Sequence, residues 1–147
     1  MTEQERKDFL DRFEEVRDDK SLLGFCVLGG IFSEGIDLRQ DRLIGAVIVG
    51  TGFPQVCAQR EILKRYFDEK GESGFDYAYR YPGMNKVLQA AGRVIRTADD
   101  VGVVVLMDER FRTNPYRRLF PAEWSGSRIT DSREIGDKVL RFWDEWL

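Results

Sequence analysis

The 147-residue sequence contains no histidine and only two cysteines, Cys26 and Cys57. Without histidine, the chain lacks the base that Ser–His–Asp and Cys–His catalysis require. Neither cysteine belongs to a Cys-x-x-Cys pair, and a standard zinc site needs four nitrogen or sulfur ligands. We therefore expect no metal site in this chain, and we interpret both cysteines as buried, reduced thiols of a cytosolic protein.

Long apolar runs are also missing from the sequence. No run approaches the roughly 20 residues that a membrane-spanning helix needs, and the charged N-terminal segment MTEQERKDFLDRF is unlike a secretory signal. Apolar residues make up 42% of the chain and charged residues 33%, which is typical of one soluble globular domain. We expect residues 1–147 to form a single cytoplasmic domain, or part of one, with no membrane partner.

A large excess of one charge is absent too, because the net charge is only −3. The charges are nevertheless uneven along the chain. Residues 1–20 hold five basic and eight acidic side chains, whereas residues 80–118 hold eight basic and four acidic ones. A basic segment in an acidic protein favours local binding of phosphate groups, although a solvated charged face has the same composition.

The hydrophobic periodicity predicts alternating strands and helices. Short apolar runs predict buried strands, and residues at helical spacing predict amphipathic helices, the first of which begins with the capping box Thr2-x-x-Glu5. Such alternation is typical of an α/β fold with a parallel sheet and helices on both faces. Three strands are few for a complete domain of this kind. The predicted strands are 24–30, 43–50 and 101–107, and the predicted helices are 3–19, 57–70, 82–96, 114–120 and 131–146, with irregular segments at 72–82 and 121–130.

The predicted helix MNKVLQAAGRVIRT (84–97) carries the clearest candidate site. Its apolar residues gather on one side, and Gln89, Gly92, Arg93 and Arg96 gather opposite at i, i+3, i+4 and i+7. Two guanidiniums one turn apart suit a phosphoryl group, and a glycine inside a helix lets another surface approach. An ordinary solvated helix face has the same pattern, so both interpretations stay open.

A glycine- and acid-rich loop, GGIFSEGIDL (29–38), follows the first predicted strand. Loops at the carboxyl ends of parallel strands are where α/β sheets bind ligands, and glycines allow the backbone to approach a phosphate. Ser33, Glu34 and Asp37 add side-chain oxygens. A simple turn would have the same composition, so it remains an alternative.

Three weaker patterns have ordinary explanations. Gly50-x-Gly52 is part of a dinucleotide-binding fingerprint, but the third glycine is missing. The strand end VVVLMDER (103–110) is similar to a magnesium-binding strand, yet we expect Asp108 to cap a turn or pair with an arginine. The alternating aromatics of GFDYAYRYP (74–82) either pack within the fold or stack against bases of a single strand.

The two candidate segments together resemble a known family. Gln89-x-x-Gly92-Arg93-x-Ile95-Arg96 resembles motif VI of superfamily 2 helicases in its DinG/XPD form, and Ser33-Glu34-Gly35-x-Asp37 resembles motif V of the same branch. Further similarity lies in IVGTGFPQ (48–55), although Thr51-Gly52 replaces the usual Leu-Pro, and in the pattern of Asp100, Gly102, Asp108, Arg110 and Phe111. The resemblance spans residues 24 to about 124 and implies an incomplete, second RecA-like motor domain of a helicase.

The resemblance also implies roles for the matching residues. Arg93 and Arg96 would be arginine fingers that reach the γ-phosphate of ATP, and Gln89 would position the nucleotide or the attacking water. Gly35, Asp37 and Gly92 would lie near the nucleotide, and Ser33 and Glu34 would contact the DNA backbone.

The partners and cofactors follow from the same resemblance. The expected partners are single-stranded DNA and the first RecA-like domain, which would bind most of the ATP and Mg²⁺. Many family members hold an iron–sulfur cluster in that first half, and we expect none in this chain, which by itself should not hydrolyse ATP. The alternatives are a non-catalytic, helicase-derived module that binds nucleic acid or another protein, and a dinucleotide-dependent enzyme.

Overall fold

A computed structural model of the chain describes residues 2–15, 21–30, 43–97 and 99–146. Two strands and five α-helices are found in these residues, with short 3₁₀ turns at Glu109–Arg112 and Ala122–Gly126. None of the described helices is long and apolar enough to cross a membrane. In chain order the elements are α1 (Glu3–Glu14), β1 (Gly45–Val49), α2 (Ala58–Glu69), α3 (Tyr81–Ala91), β2 (Val103–Met107), α4 (Asn114–Arg117) and α5 (Ile135–Trp146).

Strands β1 and β2 pair in parallel, from Gly45 opposite Val103 to Val49 opposite Met107. This arrangement confirms the predicted α/β fold with a parallel sheet, because the connection between the strands runs through α2 and α3. One face of the sheet packs on α3 and forms the core, whose buried members are Ile48, Met84, Val87, Ala91, Phe111 and Tyr116.

The two faces of β1 differ sharply in exposure. Ile48 is only 5% exposed, whereas its neighbours Val47 and Val49 are 60% and 72% exposed. Side chains alternate between the faces of a strand, so these values show that the described residues cover one face only.

The segment before α3 is helical, where the sequence predicted irregular structure. Helical backbone begins at residue 74 and passes through a π-helical turn, Asp76–Arg80, into α3. The α-helical donor to the Ala78 carbonyl would be Pro82, which has no N–H. Arg60 Nη1 donates to that carbonyl instead, at 2.8 Å, so the helix continues past the proline with its acceptor satisfied.

The predicted strand 24–30 is wrong for the described residues. Residues 21–27 form extended, unpaired backbone, and Leu23, Phe25 and Val27 are 75%, 88% and 79% exposed. An apolar run becomes a buried strand only when a neighbouring strand and a covering layer are available.

The predicted burial of the cysteines is also wrong. Cys26 lies in the extended segment, Cys57 occupies the N-cap position of α2 without a side-chain capping bond, and both are exposed and free.

Candidate functional site

Helix α3 ends at Ala91, about five residues before the predicted end. Gly92 is the C-cap, with φ −67° and ψ −3°, and its N–H still donates to the Leu88 carbonyl at 2.8 Å. The next turn tightens, because the Val94 N–H donates to Ala91 at 3.0 Å. Arg93 and Arg96 therefore lie on the segment after the helix, which corrects their predicted place on one helix face with Gln89.

Among the described residues, no neighbouring element packs against Gly92. A Cβ at Gly92 would meet only the carbonyls of Leu88 and Gln89, at 3.2 and 3.8 Å, and both belong to its own helix. The prediction of a mid-helix glycine was thus wrong, since the glycine ends the helix. Gln89 lies on the last turn of α3 with an exposed side chain.

The segment after α3 lies at the amino edge of the sheet. Val94 is 4% exposed, and a Cβ on Gly102 would overlap its Cγ1 atom and lie 3.0 Å from the Ile44 carbonyl. Gly102 and Ile44 directly precede β2 and β1, so Val94 packs beside the starts of both strands. Arg93 flanks this buried anchor and is half-buried.

Asp100 holds the next part of the segment in place. Its Oδ2 atom accepts hydrogen bonds from the backbone N–H groups of Arg96 and Thr97, both at 2.8 Å. These two bonds, chiefly the one from Arg96, lower the pKa of the Asp100 carboxyl below its ordinary value. A charged carboxylate therefore fixes the backbone turn that presents the half-buried Arg96 side chain.

The residues predicted for motif V lie outside the described residues. Ser33, Glu34, Gly35 and Asp37 all belong to the segment 31–42. Among the residues that the structure does describe, no group of three or more His, Cys, Asp or Glu side chains could hold a metal ion.

The opposite, carboxyl edge of the sheet holds a second cluster of polar and aromatic side chains. Gly50 and Gly52 have φ of +82° and +65°, which turns the chain sharply after β1. Gly52 packs on the first turn of α3, where a Cβ would lie 2.7 Å from the Gly83 carbonyl. Between the glycines, Thr51 is 2% exposed, and its hydroxyl has no hydrogen-bond partner within the described residues.

Asp108 caps the turn after β2 and pairs with an arginine, as the sequence predicted. Its carboxylate accepts from the Arg110 backbone N–H at 2.9 Å and from Nε and Nη2 of the same residue at 2.8 and 2.7 Å. The side-chain bonds to Arg110 lower the pKa of Asp108 and raise that of Arg110. The guanidinium thus held lies over the ring of Phe53, 4.9 Å from its centroid.

A buried acid organises the arginines next to this edge. Asp76 is 3% exposed, pairs with Arg80 and lies 3.7 Å from Nη2 of Arg118. The Arg80 guanidinium lies over the rings of Phe75 and Tyr116, at 5.4 and 5.3 Å. Sequence reasoning noticed Phe75 and Arg80 but missed Phe53 and Arg118, because no spacing in the chain relates them.

The other aromatics of segment 74–82 serve mainly in packing. Tyr77 stacks on Phe67 with ring centroids 3.8 Å apart. Tyr79 is 5% exposed and donates its hydroxyl to Glu61, which raises the pKa of Tyr79 to about 12. These contacts fasten α2 to the π-helical turn.

Comparison with known proteins shows that the chain is similar to several helicases. The chain is 34% identical to a regulator of telomere elongation helicase 1 homolog of Caenorhabditis elegans, over 85% of this chain and 13% of the relative. It is 34% identical to the ATP-dependent DNA helicase chl1 of Schizosaccharomyces pombe, over 92% of this chain and 18% of the relative. It is 31% identical to a probable ATP-dependent helicase of Methanocaldococcus jannaschii, over 93% of this chain and 20% of the relative.

The chain thus spans about a fifth or less of the length of these relatives. Residues 1–127 match the model of the helicase C-terminal domain. That match includes both predicted motifs and the two edges of the sheet, and it agrees with the names of the relatives. The chain therefore belongs to the helicase C-terminal domain family, in the DinG/XPD-type form of superfamily 2, with a RecA-like α/β fold.

Proposed function

We propose that this chain is the C-terminal motor domain of an ATP-dependent DNA helicase. In this proposal it hydrolyses ATP only together with the first motor domain of the same protein, and hydrolysis drives movement along single-stranded DNA and unwinding of duplexes. The family match and the helicase names of the relatives support this reading. The domain supplies Arg93 and Arg96 to the phosphate end of the nucleotide.

The Asp100 turn is the observation that carries the proposal. A guanidinium stabilises the charge of a transferred phosphoryl group only if it is positioned before the reaction, because reorganisation in the transition state is costly. The two hydrogen bonds from Arg96 and Thr97 to Asp100 fix the backbone at 2.8 Å each. The buried Val94 fixes the same segment two residues before Arg96. Both arginines consequently start from an ordered backbone at the amino edge of the sheet.

Arginine suits this position for chemical reasons. Its guanidinium stays charged at any physiological pH and offers a planar set of donors that matches phosphate oxygens. Gln89, exposed on the last turn of α3, would orient the nucleotide or the attacking water, and Gly92 would leave space for the nucleotide beside that turn.

The remaining roles extend the proposal to motif V and the cofactors. Gly35 and Asp37 would lie near the nucleotide, and Ser33 and Glu34 would contact the DNA backbone. ATP brings Mg²⁺ and would be held mainly by the first motor domain, whose phosphate loop this sequence does not contain.

The decisive experiment measures DNA-stimulated ATP hydrolysis by the full-length protein with Arg93→Ala or Arg96→Ala. Loss of an arginine finger should slow turnover by about 10³-fold or more, while ATP binding survives. Arg65→Ala provides the matched control, because Arg65 is exposed on α2 and belongs to neither predicted motif. Unchanged turnover in both finger variants would exclude the motor role of motif VI. A non-catalytic, helicase-derived binding module would then explain the chain better.

A further inference from the structure

We propose that a surface at the carboxyl edge of the sheet, formed by Phe53, Phe75, Arg110 and Arg118, binds single-stranded DNA. Bases would stack on its rings and guanidiniums, and phosphates would contact its exposed donors. This inference rests on the proposed function, because it assumes a motor that works on a single strand. It adds a DNA contact that involves neither predicted motif.

The four side chains form one connected surface. Arg110 lies over Phe53 at 4.9 Å, and the rings of Phe53 and Phe75 meet edge to face with centroids 5.5 Å apart. Arg80 lies over Phe75 at 5.4 Å and shares Asp76 with Arg118. The surface is assembled from three separate parts of the chain, which follow β1, precede α3 and follow β2.

Exposure separates these side chains from the aromatics that only pack. Phe53 and Phe75 are 36% and 37% exposed, and the side chains of Arg110 and Arg118 are 43% and 57% exposed. Tyr79, in contrast, is 5% exposed. Proteins use exposed aromatic rings beside arginines to bind single-stranded nucleic acids without sequence preference.

The acidic partners orient the arginines without using all of their donors. Asp108 binds Nε and Nη2 of Arg110, so the Nη1 edge remains directed away from that carboxylate. Arg118 meets Asp76 only at 3.7 Å, longer than a good charge-assisted hydrogen bond. Both guanidiniums can therefore donate to a phosphate oxygen, and that of Arg110 is also held in place by its carboxylate.

The location of the surface is compatible with simultaneous binding of ATP. Arg93 and Arg96 follow the C-terminal end of α3 at the amino edge, whereas Gly83 in its first turn packs on the loop that carries Phe53. At 1.5 Å per residue, the 11 residues of α3 span about 16 Å. The proposed DNA contact and the proposed fingers thus lie at opposite ends of one helix.

The test compares two fluorescent single strands of about 20 nucleotides, enough to span one binding site. One is an oligothymidylate, and the other has the same length of backbone without bases. Their affinities for the full-length protein are measured by anisotropy for the wild type, Phe53→Leu and Phe75→Leu. Leucine keeps an apolar side chain in place but removes the stacking surface. Tyr66→Leu is the matched control, an aromatic 49% exposed on α2.

We expect Phe53→Leu and Phe75→Leu each to weaken oligothymidylate binding about tenfold and to leave binding of the abasic strand unchanged. Arg118→Gln should weaken the binding of both strands. It should also reduce the dependence of the affinity on salt concentration by the equivalent of about one phosphate contact. Tyr66→Leu should bind both strands like the wild type.

Three results would overturn the inference. If both phenylalanine variants bind oligothymidylate with wild-type affinity and DNA still stimulates ATP hydrolysis, this surface does not bind DNA. The proposed function would be unaffected by that result. Equal losses on both strands would show that the rings support the fold and do not stack on bases. A wild-type protein that binds neither strand and shows no stimulation by DNA would refute the proposed function itself, and the inference with it.

Discussion

Replacement of Asp108 tests how the turn after β2 is held together. The carboxylate accepts three hydrogen bonds from Arg110, at 2.7 to 2.9 Å, one from the backbone and two from the guanidinium. The Asp108 side chain is 15% exposed and that of Arg110 is 43% exposed. Asp108→Ala removes all three bonds, whereas Asp108→Asn retains an oxygen that can accept the backbone N–H.

The expected losses follow from these contacts. Loss of a helix-capping side chain costs about 1 kcal/mol. The ion pair adds about 0.5–1 kcal/mol, near the value for exposed pairs, because water still reaches the guanidinium. We expect Asp108→Ala to reduce the free energy of unfolding by about 1.5–2 kcal/mol at pH 7 and Asp108→Asn by about half of that.

The pH dependence provides the sharper test. The hydrogen bonds from Arg110 lower the folded-state pKa of Asp108 below its ordinary value of 3.8. A group with a depressed folded pKa contributes stability above its unfolded pKa and loses it as the pH falls through the folded value. The stability difference between wild type and Asp108→Asn should therefore be complete at pH 5–7 and shrink below about pH 4.

Urea unfolding followed by circular dichroism between pH 3 and pH 7 measures this difference, provided that the urea dependence of the unfolding free energy is the same for both proteins. Asp144→Asn, at an exposed position on α5, is the control and should show no comparable difference. A difference for Asp108→Asn that stays constant from pH 7 to pH 3 would show that the stabilisation does not depend on the ionised Asp108 carboxylate.

Two further predictions test the core and the finger turn. Val87 is fully buried and Val47 is 60% exposed, so Val87→Ala should cost about 2 kcal/mol in urea unfolding and Val47→Ala less than about 0.5 kcal/mol. Equal losses of unfolding free energy in the two variants would mean that the second face of the sheet is covered. Asp100→Ala should slow ATP turnover by the full-length protein about 10- to 100-fold with little change in ATP affinity, because it releases the turn at Arg96. Normal turnover in this variant would show that the turn does not position the arginine.

Much of the local structure could be predicted from the sequence. The apolar runs 43–50 and 101–107 contain β1 and β2, and the capping box at Thr2 begins α1. These features depend on neighbouring residues only, so periodicity and capping chemistry are sufficient to find them. The family could also be recognised from the sequence, because each of its motifs lies within one short segment of the chain.

The predictions that were wrong share a physical cause. Val94 and Ile95 continue the helical pattern of α3, but Val94 is buried by packing beside Gly102 after the helix has ended. The run 24–30 is as apolar as a buried strand, yet its exposed residues have no strand beside them among the described residues. Hydrophobic periodicity indicates which residues prefer burial, but it does not indicate which part of the fold buries them.

Local sequence patterns were sufficient to predict the α/β class, the parallel strands, the helicase family and the candidate arginines. The three-dimensional fold was needed to show that Asp100 fixes the Arg96 turn and that Phe53, Phe75 and Arg110 meet at the carboxyl edge. Phe53 and Arg110 are far apart in the chain and are brought together because β1 and β2 pair in parallel and end at the same edge. Contacts between distant segments depend on strand pairing and helix packing, which no local pattern of residues encodes.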